Sequence, residues 1–220
     1  MKLTLYYHPL SSYCHKVLVA LYENGVAFDK RLIDFGNEQD RADLLAIWPI
    51  GKFPVIRDHA RQRDVAESSI IIEYIDHHYP GKSRLLPNNF DAALQVRLWD
   101  RFFDNYVHNP MQDIVNDRIR RANGDMSPAR SRLQTAYQMI DKQLAAQPWI
   151  TGDVFSMADC AAVPSLFYAT TLVPIPGDLT TLSAYFERLM NRPSSKRVLE
   201  EAKPYLSMYP FAESIPARFR

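Results

Sequence analysis

The sequence predicts an α/β unit of βαβ-α-ββα order followed by an all-helical unit, on three observations. Short apolar strands alternate with helix-period segments over the first 78 residues. Tyr79 to Asn88 then carries Pro80, Gly81 and Pro87 without periodicity, which reads as a linker. From Asp91 onward the apolar spacing is helical throughout. The expected boundaries are 1–79 for the first domain, 80–89 for the linker and 90–220 for the second.

The first element organises the rest. Leu3, Leu5 and Tyr7 alternate with Thr4 and Tyr6 as a strand, which Pro9 stops, and Ser11 and Ser12 fall where a helix begins. A strand running into a helix start makes an anion site, because unpaired N–H groups and the positive dipole end share one crevice. A hydroxyl there can donate to a developing anion, and a thiolate is the anion expected. Asn24-Gly25 ends the helix, and Val26 to Asp34 reads as a second strand parallel to the first. Asn37 to Ile47 reads as a short, irregular helix.

Pro49 to Asp58 enters a strand through Phe53-Pro54, a position that tolerates a cis bond and would turn the Phe53 N–H and C=O toward an extended peptide. An ordinary trans proline opening an edge strand is the plain alternative. A hairpin strand near Gln62 to Ala66 leads to Glu67-Ser68-Ser69, the start of a helix reaching His78. Ser68 at a helix start beside the Glu67 carboxylate suits a ligand carrying both a carboxylate and an ammonium, although a capping serine with a solvated glutamate is the plainer reading of these residues alone.

In the second half, Asp91 to Asn109 is one long helix with Val96, Trp99, Phe103 and Tyr106 on a stripe, to be kinked or broken at Pro110. Ser127-Pro128 starts another, with Leu133, Tyr137, Ile140 and Leu144 along one face. Ser156 and Asp159 are spaced as a capping box, with Phe155 and Cys160 at the staple positions of a central apolar helix. Leu182, Tyr185, Phe186 and Leu189 mark a further helix stopped at Asn191-Arg192-Pro193, and Ser194 or Ser195 caps the last. Tyr209, Phe211 and Phe219 place the tail back over the molecule.

Composition excludes several classes. Twenty-six basic and twenty-five acidic side chains give a formal charge of +1 without a basic stripe, against nucleic acid or anionic membrane. Met1-Lys2 runs straight into a strand, no apolar stretch reaches spanning length, and Cys14 and Cys160 make no disulfide framework, which together read as a reducing cytosol. Six histidines show no metal spacing, and the adjacent His77 and His78 point apart on their helix, so no metal is expected.

Taken in order, Ser11-Ser12-Tyr13-Cys14, Lys52-Phe53-Pro54-Val55, Glu67-Ser68 and Ser156-Met157-Ala158-Asp159 resemble the cytosolic glutathione transferase superfamily, with its thioredoxin-like first domain and all-helical second domain. The serine-type branch (theta, zeta, delta-like and bacterial members) is the nearest likeness. The resemblance implies that Ser11 is the catalytic hydroxyl lowering the pKa of the glutathione thiol, and that Ser12, Lys52, Phe53, Pro54, Glu67 and Ser68 bind glutathione. Phe53 would pair with the cysteinyl unit, Lys52 would lie near the glycyl carboxylate, and Glu67 and Ser68 would hold the γ-glutamyl end. It also implies a homodimer, a glutathione co-substrate and an apolar electrophile at the domain interface, with Tyr106 and His108 as candidates for its pocket. Tyr7 fits the tyrosine of other branches loosely and reads as packing. Only the second cysteine of a Cys-x-x-Cys pattern is present, so Cys14 reads as a packing residue, a mixed-disulfide site being the lesser reading. Tyr13, where zeta-like isomerases carry Cys, weakens that assignment. A glutathione-dependent isomerase or peroxidase, or a non-catalytic binding protein on this fold, are the rival functions.

Overall fold

A computed structural model describes residues 2–81 and 84–220, and the chain divides into two compact units, one ending at Leu86 and the other running from Pro87 to Arg220. Lys82 and Ser83, in the middle of the expected linker, lie outside the described residues.

The first unit is built of β1 (Leu3–Tyr7), α1 (Ser12–Glu23), β2 (Asp29–Leu32), α2 (Glu38–Ile47), β3 (Val55–Asp58), β4 (Arg63–Ala66) and α3 (Ser68–His78). Its four-stranded sheet has the order β2-β1-β3-β4, with β1 and β2 parallel and the other pairs antiparallel. Alternation divides the strands between two cores. Tyr6 and Val55 face Ile33 and Leu44 in a cluster with Ile47, Trp48 and Phe53. Leu3, Leu5, Ile56 and Asp58 face the other way, where the Tyr74 hydroxyl of α3 donates to Asp58 at 2.8 Å, and α1 packs against α3. Tyr6 is therefore partly buried against that cluster, while Leu3 and Leu5 on the opposite face are fully buried. The end of α1 is a Schellman turn: Val26 N–H reaches the Leu21 carbonyl, Gly25 N–H reaches Tyr22, and Gly25 takes φ +62°. Two expectations are corrected. The second strand is only four residues long, and α2 is a regular helix because Asn37 caps it, its side chain accepting from Gln39 and Asp40.

The second unit contains α4 (Phe90–Phe102), α5 (Asn109–Arg120), α6 (Ser127–Gln143), α7 (Met157–Leu172), α8 (Thr180–Asn191) and α9 (Pro193–Ala202). Pro110 does not break the first of these. A π-helical turn, Phe103–His108, joins α4 to α5 and leaves Pro110 in a first-turn position, where no N–H is required. The same turn rotates the apolar stripe: Val96, Trp99 and Phe103 are buried, but Val107 follows them inward and Tyr106 faces out. Ser127 is not the cap of α6; the Asp125 carboxylate accepts its N–H at 2.9 Å, and Ser127 is already helical. Neither Ser194 nor Ser195 caps α9, which starts on Pro193 with both serines buried in its first turn. The capping box is present at α7: Asp159 accepts the Ser156 N–H and hydroxyl, each at 2.9 Å, and also the Ile150 N–H and the Tyr185 hydroxyl. The buried α7 is the axis of this unit, and the tail returns over it through Tyr209 on Tyr168 and Phe219 on Phe167.

Candidate functional site

Sheet register gathers the candidate residues of the first unit. Tyr6 pairs with Val55, and Val55 with Ala66, so the end of β1, the start of β3 and the end of β4 lie along one edge. The parallel β2 ends there too. Ser11, Phe53-Pro54 and Glu67-Ser68 leave or enter the sheet at that edge, and α1 and α3 both begin there. Neither helix carries an acidic side chain in its first turn, although Glu67 is the N-cap of α3, so two positive dipole ends come to one edge of the sheet.

Ser11 is the N-cap of α1. Its Oγ accepts the Cys14 N–H at 3.3 Å, and its own N–H donates to the His8 carbonyl at 3.0 Å. Accepting at Oγ leaves the hydroxyl proton for an anion outside the helix. Ser12 is the first helical residue and is buried. Cys14 is fully buried, and that burial pushes its thiol up to about 12, with Ser11 and the His8 backbone pulling the other way. A thiol so raised is inert at neutral pH, which leaves Cys14 as packing.

The Phe53-Pro54 bond is cis. The Phe53 ring stacks with His8 (centroids 6.0 Å apart) and with Phe35 (4.8 Å). His8 Nδ1 accepts the Leu10 N–H; burial lowers the imidazole pKa, partly offset by Asp34. Lys52 is exposed on the loop entering β3. This ring stack was invisible in local pattern, since Phe35 and His8 reach Phe53 only through the sheet.

Glu67 has φ +68° and ψ +116°, backbone angles that cost a non-glycine residue strain. Its carboxylate makes no capping bond to α3 and is exposed, while Ser68 is buried at the first position of the helix. Strain held at the edge where both helices begin is a signal that the sequence could not display.

Tyr106 and His108 belong to the second unit and do not share a surface. Tyr106 is 59% exposed, its ring against Phe102, whereas His108 is 3% exposed. Among the described residues no group of His, Cys, Asp and Glu is arranged to hold a metal ion, and no helix is long and apolar enough to cross a membrane.

A mixed sheet with helices on both faces, an edge of two helix starts, and a separate helical unit define a thioredoxin-like domain joined to an all-α one. Residues 5–83 match the family model for the glutathione S-transferase N-terminal domain, and residues 125–193 that for the C-terminal domain. Glutathione S-transferase GstB of Escherichia coli K12 is 25% identical over 208 residues, spanning 90% of this chain and 97% of that protein. The glutathione S-transferase-like protein LUC7 of Fusarium sp is 29% identical over 157 residues, 70% of this chain and 71% of its own. Among solved structures, a glutathione S-transferase from Methylobacillus flagellatus with GSH bound superposes with a TM-score of 0.76 at 22% identity, covering 89% of this chain and 98% of that one. This chain belongs to the cytosolic glutathione transferase superfamily and is a glutathione S-transferase.

Proposed function

We propose that the enzyme conjugates reduced glutathione to an apolar electrophile, using a thiolate stabilised by Ser11. One observation carries the assignment: Ser11 Oγ caps α1 as an acceptor, so its hydroxyl hydrogen can turn to an anion at the helix start. A sulfur held there loses its proton more readily, since the hydroxyl bond and the helix dipole both favour the charged form. The thiolate attacks the electrophilic carbon, a carbon–sulfur bond forms, and the leaving group or a protonated adduct departs. Phe53 offers main-chain groups to the cysteinyl unit, Lys52 the charge for the glycyl carboxylate, and Glu67 with Ser68 the partners of the γ-glutamyl ammonium and carboxylate. Ser12 supports the same helix start.

The helical unit supplies the electrophile site in this reading. Tyr106 presents an outward ring, and His108, 3% exposed, would border the pocket from within the core. Homodimer formation is supported by Phe90, Leu94 and Leu98, which expose one apolar stripe along α4. A cytoplasmic location fits two buried free thiols. Steady-state kinetics with aryl halide electrophiles on the wild type and Ser11→Ala test the reading: turnover dependent on glutathione and on Ser11 supports it, and equal rates in the two proteins oppose it.

A further inference from the structure

Lys16 is an unusual residue for its place. It lies in the second turn of α1, is 1% exposed, and its Nζ donates to Ser69 Oγ at 2.9 Å. Ser69 is the second residue of α3. The first bond of that helix closes from the Ile71 N–H to the Glu67 carbonyl, so the N–H groups of Ser68, Ser69 and Ile70 precede the ladder. A buried cation is thus fastened into the turn where a helix already carries its positive end. That sign is wrong for stabilising α3 and right for attracting an anion to it. The bond also spans two elements, α1 and α3, whose starts form the two halves of the glutathione site.

We propose that Lys16 is a positioning residue for the carboxylate-bearing end of glutathione, holding the first turn of α3 in place and setting its own charge behind it. The proposal rests on the glutathione reading above and concerns the α3 half of the site, leaving thiol ionisation to Ser11 on α1. Charge-assisted hydrogen bonds are the stronger kind, so the loss of this one is felt in ligand affinity.

The test is calorimetric titration of glutathione, with thiolate absorbance on the same samples, for the wild type, Lys16→Met, Ser69→Ala and the double variant. The expected result is a Kd raised about ten-fold by Lys16→Met and several-fold by Ser69→Ala. The double variant should bind no more weakly than Lys16→Met, because both changes remove the Lys16–Ser69 bond. At saturating glutathione the thiolate signal per bound ligand should stay at the wild-type level. An unchanged Kd in Ser69→Ala, a half-exposed position that tolerates the change, overturns the proposal even where Lys16→Met fails to fold. A Kd loss accompanied by an equal loss of thiolate also overturns it, since that is general disordering of the site. Absence of glutathione binding by the wild type overturns the functional reading itself, a result distinct from indifferent variants of a binding protein.

Discussion

Ser11 Oγ accepts the Cys14 N–H at 3.3 Å, so the first turn of α1 and the position of the serine hydroxyl are fixed together. In the proposed reaction, helix start and chemistry share one oxygen. Ser11→Ala should therefore cost about 1 kcal/mol of stability as a lost cap, roughly 2–4 °C in Tm for a protein of this size. Its effect on kcat/KM should be far larger, about 100-fold, because the donor to the developing thiolate goes too. Thermal melts and initial rates on one preparation separate the two effects.

Cys14 is expected to be chemically silent. Its buried thiol, raised to about 12, has almost no thiolate at pH 7. Iodoacetamide on the native protein should leave it unmodified by mass spectrometry, while the unfolded chain should take up label at both Cys14 and Cys160. Rapid native alkylation of Cys14 would reopen the mixed-disulfide reading.

In the proposed site, Glu67 trades backbone strain for a carboxylate that faces the glutathione ammonium. Glu67→Gly relieves the φ of +68° and should raise Tm, with glutathione binding weakened about ten-fold by loss of the ammonium partner. Glu67→Gln keeps the strain, so its Tm should stay near wild type while its affinity falls similarly. If the glycine variant binds as well as wild type, the strain serves something other than glutathione.

Asp58 ties the β3–β4 turn to α3. Burial pushes its carboxyl up, but hydrogen bonds from Tyr79, Tyr74 and Arg61 outweigh that and hold it at about 2. A carboxyl lowered in the folded state binds protons more tightly when unfolded, so its stabilisation is present above the unfolded pKa, about 4. That stabilisation is lost as pH falls from about 4 to about 2. Urea midpoints across this window should drop less for Asp58→Asn than for wild type, the variant itself being weaker by about 2 kcal/mol at pH 7.

Local chemistry made much of this legible. Ser11, Gly25, the Pro54 strand entry and the Ser156–Asp159 box each impose a nearby hydrogen bond or backbone angle, and each was readable from spacing. What escaped depended on distant partners or on competing local choices. The π turn moved Tyr106 outward and kept Pro110 within a continuous helical run; Met126 is the N-cap where Ser127 was expected, and Asp125 accepts the Ser127 N–H. The Glu67 strain, the Phe35–Phe53–His8 stack and the Lys16–Ser69 bond exist only once the sheet brings separate segments to one edge. The role proposed for Lys52 follows from the family likeness rather than from a pattern of its own, whereas Ser68 was readable as a helix start.

The central claim is that Ser11 ionises bound glutathione. Thiolate absorbance is followed over pH at saturating glutathione for the wild type and Ser11→Ala, with binding checked by calorimetry. The account predicts that both proteins bind, and that only the wild type shows the bound thiol ionising below its free pKa. Equal ionisation in the two proteins, or no binding by the wild type, would contradict it.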